Sequence, residues 1–218
     1  MRFRRTLTAV SLAALAMTGL SACQTKIGLA ASASGHRLSD SDLAKYIKAG
    51  AAPYTDQSSG AKVTPKLYAL ENWIDDQLFT DTAIKHGGAP STQDLTAAKA
   101  AVLGSRSSDD YTTFYGGLGY TPSFSDLIIN QSSMLVILVE RIGDVSATDA
   151  IKILQSGQAG PTLLKAVSAT KPQVTVSPRY GAWDPKGLSL SADPSAGTPG
   201  FVTFPGSGQS SELPSPAG

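Results

Sequence analysis

"SDLIINQSSMLVILVERIGD", Ser125 to Asp144, is the stretch whose reading decides the fold. Met134 to Val139 are all apolar, so periodicity alone allows a buried strand as readily as a helix. Length separates the two. From Ser125 to Ile142 there is no glycine or proline, and the run exceeds the roughly ten residues at which ordinary strands end. It therefore predicts a helix with a wide buried surface, and with it a mainly helical protein.

Working towards the amino terminus, "TPKLYALENWIDDQLFTDTAIKHGG" predicts a second long helix. Thr64 can cap it, Pro65 suits its first turn and Gly87 ends it. Leu67, Leu70, Ile74, Leu78 and Phe79 fall at helical spacing and should face the core. Ser91 caps a further helix over 92–103, with Leu95, Val102 and Leu103 as its apolar positions. Ser39 or Ser41 can start a helix running to about Ala49, with Gly50 as its stop. Before it, "IGLAASA" (27–33) and "SGHRLS" read as two short strands joined at Ser34-Gly35, and "APYTDQSSGAK" as a polar loop. Towards the carboxyl end, "ATDAIKILQSG" and "GPTLLKAVSAT" supply two short helices. "QVTVS" alternates like a strand, and the glycines and prolines of "PRYGAWDPKGLSLS" mark turns. The expected class is mainly α with a small β element.

Between the helices lies "YTTFYGGLGYTPSF", Tyr111 to Phe124, which holds five of the fifteen aromatic residues and three glycines. One reading is architectural: Asp109 or Asp110 caps a helix, Gly116 to Gly119 stop it, Thr121-Pro122 begin the next, and Phe114 and Leu118 enter the core. The other is functional. Tyr111, Tyr115, Tyr120 and Phe124 would stay partly exposed and line a cradle for extended apolar polypeptide, since large exposed apolar patches mark binding sites.

The ends of the chain speak of location. Arg2, Arg4 and Arg5, a mostly apolar stretch from Leu7 to Leu20 and small residues before Cys23 have the layout of a signal peptide over 1–22. The stretch is shorter than the about 20 apolar residues of a membrane span and is interrupted by Thr8, Ser11, Thr18 and Gly19. Leu20-Ser21-Ala22-Cys23 resembles a bacterial lipobox, which implies cleavage before Cys23 and its acylation. Cys23 is the only cysteine and so forms no internal disulfide. One acyl chain binds a bilayer only marginally; two or more on one cysteine make an anchor. Residues 23–26 are then the lipidated amino terminus on the extracytoplasmic face of the cell membrane. Loss of 1–22 removes three arginines and no acid, turning 18 Lys+Arg against 17 Asp+Glu into 15 against 17, a balance of −2. That balance gives no reason to expect nucleic acid as a partner. From Ser191 to Gly218, sixteen of twenty-eight residues are Gly, Pro or Ser, which predicts a disordered tail after a domain spanning 27–190. Within the tail, "FVTF" (201–204) could pair as an edge strand.

Catalytic patterns are thin. The two histidines, His36 and His86, form no HExxH motif, there is no cysteine pair, and no metal or cofactor is expected. Asp75 and Asp76 are adjacent on a helix, about 100° apart, and make no catalytic dyad. S-x-x-K occurs at Ser59 to Lys62 and at Ser168 to Lys171, without the SDN or KTG strings that accompany it in penicillin-binding enzymes.

In order along the chain, "GHRLSDSDL", the long helix "YALENWIDDQLFTDTAIKHG" with Leu78, Ala83 and Gly87, "STQDLTAAKAAV", the aromatic-glycine elbow, a second long helix and "VSPRYGAWDPKGLSL" resemble the amino-terminal chaperone module of the SurA/PrsA family of exported folding factors. The resemblance implies a helical domain joined by terminal strands and a role in holding exported, unfolded polypeptides. Larger members insert a parvulin prolyl-isomerase domain before the terminal strand. Here only thirty-one residues, Gly143 to Gln173, occupy that interval, fewer than the roughly 50 of a small domain. The expected function is thus non-enzymatic. The alternative is an accessory envelope lipoprotein that binds one folded partner.

Overall fold

The computed structural model describes residues 28–56 and 60–191. β1 (Leu29–Ala33) and β2 (His36–Ser39) form an antiparallel hairpin. Ser34 and Gly35 close it with φ of 49° and 84°, the two positive angles of a type I′ turn, whose twist matches that of the strands. Ser39 then caps α1 (Asp40–Ala44), its hydroxyl accepting from the Asp42 amide at 3.1 Å. The expected continuation to Ala49 does not occur. The backbone of 45–48 is engaged by the aromatic elbow instead: Thr121 donates to the Tyr46 carbonyl at 3.0 Å, Lys48 donates to that of Gly119 at 2.9 Å, and Ile47 and Tyr120 form a β-bridge. Inside the expected polar loop, β3 (Tyr54–Thr55) pairs with β4 (Lys62–Val63).

The two long helices form as read. α2 (Pro65–Gly87) starts at its proline, with Thr64 at the cap position but making no side-chain cap bond. It runs one residue past its expected end, and Gly88, at φ +79°, takes the turn. α3 (Thr92–Leu103) is fixed by a reciprocal bond pair between Ser91 and Asp94. Its buried residue is Ala98, whereas Leu95 is exposed. α4 (Ser108–Gly117) is capped by Ser107; Asp110, a candidate cap, serves as the reciprocal acceptor for the Ser107 amide. α5 (Pro122–Gly143) restarts on Thr121-Pro122 and ends at Asp144 in the left-handed region.

α6 (Ala147–Gln155) and α7 (Gly160–Ala169) fill the interval before β5 (Val174–Val176). β5 returns to the start of the chain and pairs antiparallel with β1, Ala31 opposite Val176 and Ala33 opposite Val174, which gives a sheet ordered β2-β1-β5. A 3₁₀ turn (Pro178–Tyr180) leads to β6 (Ala182–Asp184) and β7 (Ser189–Ser191), a hairpin where the sequence had suggested only turns. Among the described residues there are thus seven α-helices and three small antiparallel β units: the protein is mainly α with a small β element.

At the centre, α2 and α5 lie parallel. The Tyr68 and Phe124 rings meet near their starts, with centroids 5.8 Å apart, and Arg141 near the end of α5 donates to the carbonyls of Ala83 and Gly88 at the end of α2. The bond to Gly88 satisfies a carbonyl that the helix end leaves without an intrahelical partner, and the bond to Ala83 adds a second donor at the last turn. Gly87 makes room for them, because a Cβ there would lie 3.0 Å from the Arg141 side chain. By length and apolarity α5 could cross a membrane, with mean hydropathy 1.3 over its most apolar window, yet 72% of that window is buried inside the fold. Leu135, Val136, Ile137 and Leu138 are fully enclosed, each contributing roughly 1.5–3 kcal/mol of burial.

Candidate functional site

The aromatic stretch is mostly interior. Tyr115, Tyr120 and Phe124 are 4%, 0% and 0% exposed, which corrects the expectation that they remain open to solvent; Tyr111 is half-buried. Phe114, expected in the core, is 45% exposed. The physical reason lies in Tyr120. Its ring stacks on Phe124 at 4.1 Å and is met by Tyr115 at 6.1 Å, Tyr68 at 6.0 Å and Tyr54 at 6.4 Å, the last also sharing a hydroxyl contact of 3.3 Å. Edge-to-face and offset arrangements of this kind favour burial together. Gly119 permits the turn: it sits at φ +94°, and a Cβ there would come within 2.8 Å of the Ala51 Cβ. The elbow therefore clamps the segment after α1 to the start of α5, and the architectural reading holds for its glycines.

A second set of side chains lies along the α2–α5 seam. Seven residues beyond Tyr68 and Phe124 come Asp75 and Gln131; seven further come Thr82 and Leu138. Asp75 Oδ1, Gln131 Nε2 and Thr82 Oγ1 are buried and have no hydrogen-bond partner among the described residues. Burial, with Glu71 and Asp76 nearby, pushes the Asp75 carboxyl well above the usual carboxylate range. Glu71 is raised too, by burial, opposed by the Leu190 amide of β7, which donates to its Oε1 at 3.1 Å. Asp75 and Asp76 diverge as their adjacency required, one to the seam and the other to the surface beside it.

That surface is a groove of about 300 Å³ between α2 and α5. Trp73, Asp76 and Gln77 line it from α2; Ser123, Asp126, Leu127 and Asn130 line it from α5; Tyr46, in the turn after α1, completes it. Burial pushes Asp76 up to about 6, although Gln77 donates to its Oδ2 at 2.9 Å and so opposes the rise. Among the described residues no cation is ion-paired with Asp76 or Asp126. Apart from Asp76, named only beside Asp75, the groove residues were not singled out in the sequence, although a signal exists. Trp73, Asp76 and Gln77, and Ser123, Asp126, Leu127 and Asn130, recur at three- and four-residue steps and so share one face of each helix.

Elsewhere the side chains serve architecture. Asp40 accepts from the Tyr180 hydroxyl at 2.8 Å and from Arg179, joining the start of α1 to the returning chain. Slight burial would raise its carboxyl, but these two bonds and the Arg179 charge hold it below the usual range. Of the S-x-x-K strings, Ser168 and Lys171 stand exposed at the end of α7, and Ser59 lies outside the described residues. Cys23 and its neighbours Leu20, Ser21 and Ala22, like "FVTF" in the tail, also lie outside them. Among the described residues no group of three or more His, Cys, Asp or Glu side chains could hold a metal ion. Comparison of the chain with family models, with curated proteins and with solved structures returns no match.

Proposed function

We propose that this is a membrane-anchored extracytoplasmic lipoprotein, tethered through Cys23, that acts as a non-enzymatic chaperone of the SurA/PrsA kind and holds exported, unfolded polypeptides. The observation that carries this reading is the α2–α5 groove. It offers an open channel, rather than an enclosed pocket, with the largely buried Trp73 and Leu127 beneath exposed polar groups, Asn130, Ser123 and Asp126. The open lining is mainly polar, with only the edges of Trp73 and Leu127 reached, and such a rim suits a peptide, whose backbone needs hydrogen-bond partners. The client surface is accordingly assigned to this groove and moved away from the enclosed Tyr115, Tyr120 and Phe124.

The second reading, an accessory lipoprotein for one folded partner, draws support from that same enclosure of the aromatic stretch, which leaves less apolar surface open to unrelated clients. One experiment separates them. The mature protein should slow aggregation of several unrelated unfolded proteins at near-stoichiometric ratios, and a photo-crosslinker at position 130 should capture them. Protection of none, with stoichiometric capture of a single folded envelope protein, would favour the accessory role.

A further inference from the structure

We infer that the α2–α5 groove receives a lysine or arginine side chain carried by the bound polypeptide. The inference rests on the polypeptide-holding role proposed above and names the chemistry that role selects. Four observations converge on it. Two carboxylates, Asp76 and Asp126, line the groove from opposite helices, and the lining contains no cationic residue. The cations nearest Tyr46 in sequence are already engaged, Lys45 with the Asp42 carboxylate at 2.7 Å and Lys48 with the Gly116 carbonyl at 2.8 Å. The indole of Trp73 and the phenol of Tyr46 border the same space, and aromatic faces attract ammonium and guanidinium groups. Leu127 supplies an apolar contact of the sort that the methylene stem of lysine or arginine covers while its charged end reaches a carboxylate.

An anionic side chain would meet two carboxylates and no counter-charge here. A neutral apolar one would find little apolar surface to cover and leave the partly buried Asp76, which accepts from Gln77, without a counter-charge. A cation supplies that counter-charge, and its arrival stabilises the ionised form of Asp76 that burial disfavours. Gln77 and Asn130 add carboxamides able to pair with the peptide backbone on either side of the inserted residue.

The test is a binding measurement on the intact mature protein, by anisotropy of a fluorescent twelve-residue extended peptide in low salt. Three versions differ only at the central residue: lysine, arginine or the uncharged isostere norleucine. The lysine and arginine peptides should bind about tenfold tighter than the norleucine peptide, a gap that narrows as salt screens the open groove. Asp76→Asn and Asp126→Asn should each reduce that gap. Asp126 is exposed, so its variant tests the claim even if Asp76→Asn perturbs the fold. Equal binding of all three peptides would overturn the inference while leaving the polypeptide-holding role intact. No binding of any peptide would overturn both. Cadaverine binding as tightly as the lysine peptide would overturn the assignment to a polypeptide.

Discussion

Tyr120 and Phe114 sit six positions apart and occupy opposite environments, the first with no exposed surface and the second nearly half open. Tyr120→Ala should therefore cost about 3–5 kcal/mol in urea unfolding, as truncation of an enclosed aromatic does. Phe114→Ala, which loses chiefly the edge contact with Tyr115 at 5.1 Å, should cost about 1 kcal/mol or less. Equal losses for the two would refute the enclosure of Tyr120. The sequence grouped the aromatics correctly but could not rank them. Tyr111, Phe114, Tyr115 and Leu118 recur at helical steps, so the three aromatics share one broad face of α4, with Leu118 at its carboxyl cap. Periodicity locates a face and says nothing about where the neighbouring helix stops covering it, and Phe114 lies past that limit. The same holds for Leu95 on α3, where the small Ala98 is enclosed and the larger leucine is exposed.

At the scale of the element, α2 departs most from an amphipathic surface helix. Leu70, Ile74, Leu78 and Phe79 are buried as their spacing predicts, and Leu67 is half-buried. Buried with them are Asn72, Asp75 and Thr82, which hydropathy assigns to solvent. Their burial follows from α2 lying between α5 and the chain ends, a long-range arrangement that no local pattern encodes. The acids set a pH dependence. Their carboxyls are raised in the folded state, Asp76 to about 6 and Asp75 and Glu71 also upward, while the unfolded chain ionises near 4. The folded state therefore holds protons that the unfolded state releases. Stability is fullest below about pH 4 as far as these groups are concerned, falls as pH rises towards 6, and continues to fall beyond it while Asp75 stays protonated. Denaturation midpoints compared at pH 5 and pH 8 should show the loss. Asp76→Asn should return on the order of 1–2 kcal/mol at pH 8 and little at pH 4, and an unchanged pH profile in that variant would remove Asp76 from the account.

At the scale of the whole molecule, the sheet joins the ends of the described chain, with Ala31 beside Val176 and Ser177 donating to the Ala30 carbonyl at 2.9 Å. The strand character of "QVTVS" and the Ser34-Gly35 turn were both legible, because alternation and turn residues are local. That β5 would seat beside β1 was implied only by the family resemblance, and the closing hairpin of β6 and β7 was missed because strands of three residues carry too little pattern. A chain stopped after Ser191 should melt at nearly the parent midpoint in circular dichroism. One stopped after Pro172 should lose cooperative melting, since the fully buried Ala31 and Ala33 would open along a bare strand edge. Similar melting of the two would mean that the helices fold without the sheet. The pairing also sets a timetable. Where a chain crosses a membrane amino end first, β1 is among the first structured segments to arrive and its partner among the last, with every helix delivered between them. Closing contacts of such sequence separation form late and slowly, and an unpaired edge waits in the meantime. Under the proposed export, the protein's own maturation would pass through the exposed, incomplete state that a holder of unfolded chains recognises in others.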